Sequence, residues 1–158
     1  MPSSPLSPDP SSGSSSPDSL ASADGYTLVA GPPALADYLR LRCDSGLSPK
    51  TEEQGAAAIA GTWRFRHVRD ARGETVAMGR VVGDGGWYFF VADMATLPAH
   101  QGRGLGARVL DALLDEIREN APAGAYVTLT ADPPGRRLYE SRGFRDVAPG
   151  QTGMSLLL

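Results

Sequence analysis

Between Tyr88 and Ile117 the hydrophobic period of this chain changes once, and a glycine-rich stretch marks the change. "WYFFVADMATL" is almost continuously apolar, the pattern of a strand buried on both faces. From Leu105 the apolar positions become Leu105, Val109, Leu110, Leu113, Leu114 and Ile117. That is one face of a helix, with Asp111, Asp115, Arg118 and Glu119 turned to water. Between the two lies "HQGRGLG", His100 to Gly106, with Arg103 inside it and Arg108 just beyond. A helix N-terminus presents unpaired N–H groups and a partial positive charge. Glycines let the backbone approach an anion with no Cβ in the way. Strand, glycine loop and helix together make a candidate anion cradle.

The flanking segments supply the rest of a fold. "YTLVA" reads as a first strand, "PPALADYLRLRC" as a helix, and "SPKTEEQGAAAIA" as a second helix with Ser48 as N-cap and Pro49 at its first position. "GTWRFRHVRD", "ETVAMGRVV" and "WYFFVADMATL" are joined by the turn segments "DARG" and "GDGG", a meander of antiparallel strands. After the long helix come the strand "AYVTLTA", the short helix "PPGRRLYESR" with Gly143 as C-cap, and two closing strands in "FRDVA" and "TGMSLLL". The expected order is β-α-α-β-β-β-α-β-α-β-β, an α+β fold with a mixed, mostly antiparallel central sheet flanked by helices.

Composition bounds what such a fold does. The chain has 158 residues, enough for one core. Residues 1–25 hold ten serines, five prolines, three aspartates and no lysine or arginine, so they read as a disordered tail ahead of a domain at 26–158. They lack the basic and apolar regions of a secretory signal. Without those aspartates the body carries fifteen charges of each sign, which argues against nucleic acid or an anionic membrane as the partner. No apolar run is long enough to span a bilayer. One cysteine, Cys43, permits no internal disulfide, points to a reducing cytoplasm, and reads as a partly buried, inert thiol. Two histidines without a second cysteine leave no metal-ligand spacing.

The identity of the anion follows from exclusion and then from likeness. No G-K-S/T is present, which removes a P-loop nucleotidase. Gly102, Gly104 and Ala107 match the dinucleotide pattern G-x-G-x-x-G/A, but "LPAHQ" separates them from the strand and only 52 residues follow Gly106. "QGRGLG", Gln101–Gly106, fits the Q/R-x-x-G-x-G/A signature, and "RRLYESRGF" fits a second motif, L-Y-x-x-x-G-F. In these two motifs, in this order, the chain resembles the GNAT superfamily of acetyl-coenzyme A-dependent N-acetyltransferases over about residues 26–158.

That resemblance implies roles. The backbone of Met94, Ala95 and Thr96 would pair with the pantetheine arm, and the segment Gln101, Gly102, Arg103, Gly104, Leu105, Gly106 and Ala107 would hold the pyrophosphate. A backbone N–H near Ala95 or Thr96 would polarise the thioester carbonyl. Tyr139 corresponds to the tyrosine that protonates the departing thiolate. A phenol titrates near ~10 and a thiol near ~8.5, so the donor is protonated at neutral pH. Asp132 stands where some members carry a cofactor-touching asparagine, and "DPPG" assigns it instead to a helix N-cap. Val127 stands where some members carry a general-base carboxylate.

Asp93, the one charge inside the central strand, is the candidate base, and a structural, hydrogen-bonded aspartate is the competing reading. His67 and Glu74 are weaker candidates. The acceptor site would border Cys43–Lys50, with Trp87 and Tyr88 nearby. The sequence thus supports acetyl transfer from acetyl-CoA to a primary amine by direct attack, on a small molecule rather than a protein, in a monomer or homodimer, with no metal. A non-catalytic acyl-CoA-binding sensor is the alternative, and a dinucleotide-binding oxidoreductase a third reading that rests on the glycine match alone.

Overall fold

The computed structural model describes residues 19–21 and 24–157. Six strands form one sheet in sequence order: β1 (Ser19–Ala21), β2 (Thr27–Ala30), β3 (Arg64–Arg69), β4 (Thr75–Gly83), β5 (Tyr88–Thr96) and β6 (Tyr126–Thr128). The first five pair antiparallel, and β6 joins β5 in parallel. Helices α1 (Leu35–Asp44) and α2 (Glu52–Ala60) connect β2 to β3; α3 (Leu105–Asn120) connects β5 to β6; α4 (Arg136–Glu140) follows β6. This is the expected α+β architecture with a mixed, mostly antiparallel sheet.

The amphipathic pattern decides which face each helix buries. All six apolar positions of the α3 stripe, Leu105 to Ile117, are buried. Gly79 on β4 lets that helix come close. A Cβ there would overlap Met94 Sδ and lie 2.8 Å from Val109 Cγ1 and 3.2 Å from Leu113 Cδ1. Neighbouring strand residues alternate between faces, so Met78, Arg80 and Val82 face the opposite layer. There, Tyr38 and Leu41 of α1 are also buried.

Several details differ from the sequence reading. Residues 1–18 and 22–23 of the expected tail lie outside the described residues, while Ser19–Ala21 pairs with β2. Helix α2 starts after Thr51 rather than Ser48, because Thr51 and Gln54 form a reciprocal capping box that satisfies two end groups at once. Asp132 stands at the N-cap of a 3-10 turn, Pro133–Gly135, but its side chain makes no cap bond. Cys43 is exposed, since the helical period turns Tyr38, Leu41 and Arg42 inward instead. Neither closing strand forms among the described residues. Asp146 is tied to Arg136 of α4 at 2.7 Å, and Pro149 has no N–H to give a ladder. Met154 and Leu157 are each 95% exposed. Among the described residues no helix is long and apolar enough to cross a membrane.

The close α3–β4 approach is testable. Gly79→Ala should overpack the interface and destabilise the protein by about 1–3 kcal/mol, read as a drop of several degrees in thermal unfolding.

Candidate functional site

Pairing between β5 and β6 spans only Tyr88–Phe90 against Tyr126–Thr128. From Val91 to Thr96, β5 is hydrogen-bonded to β4 on one side and has no strand partner on the other. A cleft therefore opens along Met94, Ala95 and Thr96, three of the residues expected to meet a cofactor. The glycine loop lies just beyond its end. A short turn, Pro98–His100, leads into Gln101, whose Nε2 donates to the Thr96 carbonyl at 3.1 Å.

Gly102 and Gly104 have φ values of 73° and 75°, a left-handed conformation that side-chain-bearing residues adopt at a cost. A Cβ on either would meet nothing within 4 Å, so both border open space. Gly104 is the N-cap of α3 and offers no side chain to the first-turn N–H groups. The N–H groups of Leu105, Gly106 and Ala107 thus remain available to an anion. Arg103 is exposed and makes no ion pair with any described residue. Arg108 is engaged, at 3.1 Å from Asp24. A Cβ on Gly106 would lie 3.5 Å from Leu138 Cδ2 and 3.8 Å from Thr96 Oγ1, which sets α4 against the start of α3 and the end of β5.

That contact packs the second motif against the start of α3. Tyr139 is half-buried, and its ring meets Phe144 edge-on at 6.1 Å. Its hydroxyl has no hydrogen-bond partner among the described residues. Burial, and then the charge of Asp132, push its pKa above the ordinary tyrosine value, so it is a protonated donor at neutral pH. Tyr139 also lines a groove of about 820 Å³ between β6, α4 and the second half of α3, which touches neither the glycine loop nor Asp93.

Asp93 sits where the β4–β5 register shifts, and it is the one non-glycine residue with positive φ, 53°, among those described. Three side chains close on its carboxylate. Tyr38 Oη donates to Oδ2 at 2.6 Å, Arg80 Nε to Oδ2 at 2.5 Å, and Arg42 Nη1 to Oδ1. Arg42 is anchored in turn by the Ser48 carbonyl, and Arg80 by Thr62 Oγ1 at 3.2 Å. Burial raises the Asp93 pKa, but the Tyr38 and Arg80 hydrogen bonds and the two guanidinium charges outweigh it and hold the group below the usual carboxylate range. A carboxylate so stabilised is a weak proton acceptor.

The other candidates lie apart. His67 is 1% exposed, and its Nδ1–H donates to the Gly31 carbonyl at 2.9 Å. Desolvation lowers its pKa, so it is neutral. Glu74 pairs with Arg40 and Arg72 at the β3–β4 turn. Sequence reasoning missed Tyr38, Arg42 and Arg80. The signal was present: Arg80 is the one charge in "VAMGRVV", and Tyr38 and Arg42 are four residues apart on one helix face. Among the described residues no cluster of three or more His, Cys, Asp or Glu side chains is placed to hold a metal.

Comparison with known proteins agrees with this geometry. The family model for the acetyltransferase (GNAT) domain matches residues 62–146. A probable acetyltransferase from meticillin-resistant Staphylococcus aureus is 31% identical, with 84% of this chain and 99% of that one covered and a TM-score of 0.80. A GNAT-family acetyltransferase from Streptococcus pneumoniae is 25% identical over 84% of this chain and 98% of its own, at a TM-score of 0.70. The ribosomal-protein-S18-alanine N-acetyltransferase of Escherichia coli, 20% identical over 78% of this chain and 79% of its own, shares the fold at a TM-score of 0.66. No curated protein matches the chain. The chain belongs to the GNAT acetyltransferase family and is an acyltransferase.

The Asp93 cluster has a pH signature. Its folded-state pKa is depressed, so its stabilisation is present above the unfolded value of about 3.9 and is lost as pH falls through the lowered folded value. Asp93→Asn should strand two inward-facing arginines, cost about 3–5 kcal/mol at neutral pH, and remove that part of the acid dependence. Urea unfolding of both proteins from neutral to acid pH measures this.

Proposed function

We propose that this acyltransferase moves an acetyl group from acetyl-CoA to the primary amine of a small molecule by direct attack in a ternary complex. The observation that carries the reading is the juxtaposition of an unpaired β5 edge with two left-handed glycines and a bare helix N-terminus. The residues present fit the cosubstrate, because a Cβ at Gly102 or Gly104 would project into the space a pyrophosphate needs. Bound there, acetyl-CoA supplies an activated thioester.

The chain's own groups do the rest. Backbone N–H groups of Gly102 to Ala107, with Arg103 beside them, hold the phosphates. Met94, Ala95 and Thr96 offer their free edge to the pantetheine amides, and a backbone N–H near Ala95 or Thr96 polarises the acyl carbonyl. Tyr139 holds its proton on Oη for the departing sulfur. Asp93 acts as a positioning residue that locks the β5 bulge, in line with the structural reading of this aspartate rather than with its candidacy as the base. Attack by an already neutral amine is consistent with that assignment. A cytoplasmic setting suits a chain with one cysteine.

A thermal-shift titration with acetyl-CoA, CoA and NAD tests the ligand. Acetyl-CoA and CoA at a hundredfold their dissociation constants should each add about 2.7 kcal/mol of stability, and NAD none. Tyr139→Phe should lower kcat at least tenfold and leave the acetyl-CoA shift intact. An unchanged kcat would remove the acid role.

A further inference from the structure

The face of the sheet opposite α3 carries an aromatic surface at the end of the cleft. Arg80 pairs across with Ala92 and Val82 with Phe90, and Phe90 and Tyr88 stand beside Thr128 and Tyr126. All of these share the α1–α2 face, by the alternation that sends Gly79 toward α3. That helical layer leaves its upper part uncovered. Trp87 is 61% exposed, Tyr88 42% and Tyr126 39%. Their rings are arranged in series, Trp87 to Tyr88 at 5.4 Å and 89°, and Tyr88 to Tyr126 at 5.7 Å and 55°. Strand pairing ends at Phe90, so Tyr88 lies two residues, about 7 Å, from the mouth of the cleft.

The charges around this surface do not favour an ammonium. At the cleft end stand Asp93, Arg42 and Arg80, two cations to one anion, with both carboxylate oxygens already taken. Beyond the rings, Asp84 is occupied by the N–H groups of Gly86, Trp87 and Tyr88 at 2.8, 3.0 and 3.2 Å. Aromatic rings pack ring-bearing ligands by offset or edge contacts. A strongly basic amine would need a base to lose its proton before attack, whereas an amine whose lone pair is delocalised into a ring is already neutral at pH 7.

We propose that the acceptor is a weakly basic aromatic amine, its ring seated on Trp87, Tyr88 and Tyr126 and its nitrogen directed at the cleft between Phe90 and Asp93. This rests on the acetyltransfer reading above. The nitrogen lone pair forms the C–N bond as the C–S bond breaks. The departing sulfur takes the Tyr139 proton, and the nitrogen releases one proton to water. The products are an N-aryl acetamide and the free thiol of CoA.

The test is thiol release from acetyl-CoA with 4-methoxyaniline, phenethylamine and spermidine. 4-Methoxyaniline should give the highest kcat/KM by at least tenfold, and that value should be flat from weakly acid to weakly alkaline pH. Trp87→Ala and Tyr126→Ala, both at exposed positions, should raise its KM about tenfold without altering the acetyl-CoA thermal shift. Equal or better turnover of spermidine or phenethylamine overturns the proposal, as does an unchanged KM in both variants. Acetyl-CoA binding with no acetylation of 4-methoxyaniline also overturns it, while leaving the cosubstrate reading standing. Failure of acetyl-CoA to stabilise the protein would instead defeat acetyl transfer, and the acceptor class with it.

Discussion

One carboxylate holds the functional half of this molecule together. Asp93 receives Tyr38 and Arg42 from α1 and Arg80 from β4, and so joins a helix to two strands at the point where the β4–β5 register shifts. The backbone at Asp93 is in a left-handed conformation, which costs free energy outside glycine and persists where the surroundings over-determine it. Here the surroundings are two guanidiniums and a phenol. A charge this enclosed is stabilised by its partners and destabilised by the loss of any of them. The cluster is therefore a fastener, and its depressed pKa follows from that role.

The cleft is a consequence of how the two neighbours of β5 behave. On one side the bulge lets β4 continue past Asp93 in a shifted register. On the other, β6 leaves after Thr128. The stretch that lost its partner ends at the glycine loop, and Gly106 brings α4, with Tyr139, against the same place. Backbone donors and a helix N-terminus thus lie at the end of the open β5 edge, while the Tyr139 phenol lines the neighbouring groove between β6 and α4. None of the three needs a carboxylate to act, which is consistent with the commitment of Asp93 elsewhere.

Much of this was legible in the chain. The change of period at residues 97–105, the glycine spacing and the L-Y-x-x-x-G-F motif carried the fold class and the family. Each is a local property, set by covalent geometry or by one face of one element. The readings that failed each turned on a partner side chain. Ser48 reads as a cap, yet Thr51 wins because Gln54 answers it. "FRDVA" has strand propensity, yet Asp146 is drawn to Arg136. β-propensity measures the fit to a neighbour, and a neighbour is what a segment in isolation lacks.

By itself, then, the sequence determined the strand–loop–helix unit, the six-residue apolar stripe of α3 and the glycine spacing of the loop, because periodicity and local backbone preference act within a few residues. Tertiary structure alone decided that Asp93 would be clamped rather than free, that the β5 edge would stand open from Val91 to Thr96, and that the exposed rings of Trp87, Tyr88 and Tyr126 would meet in series. Those outcomes depend on pairings across 13 to 55 residues of chain, where burial and charge are settled by which elements meet.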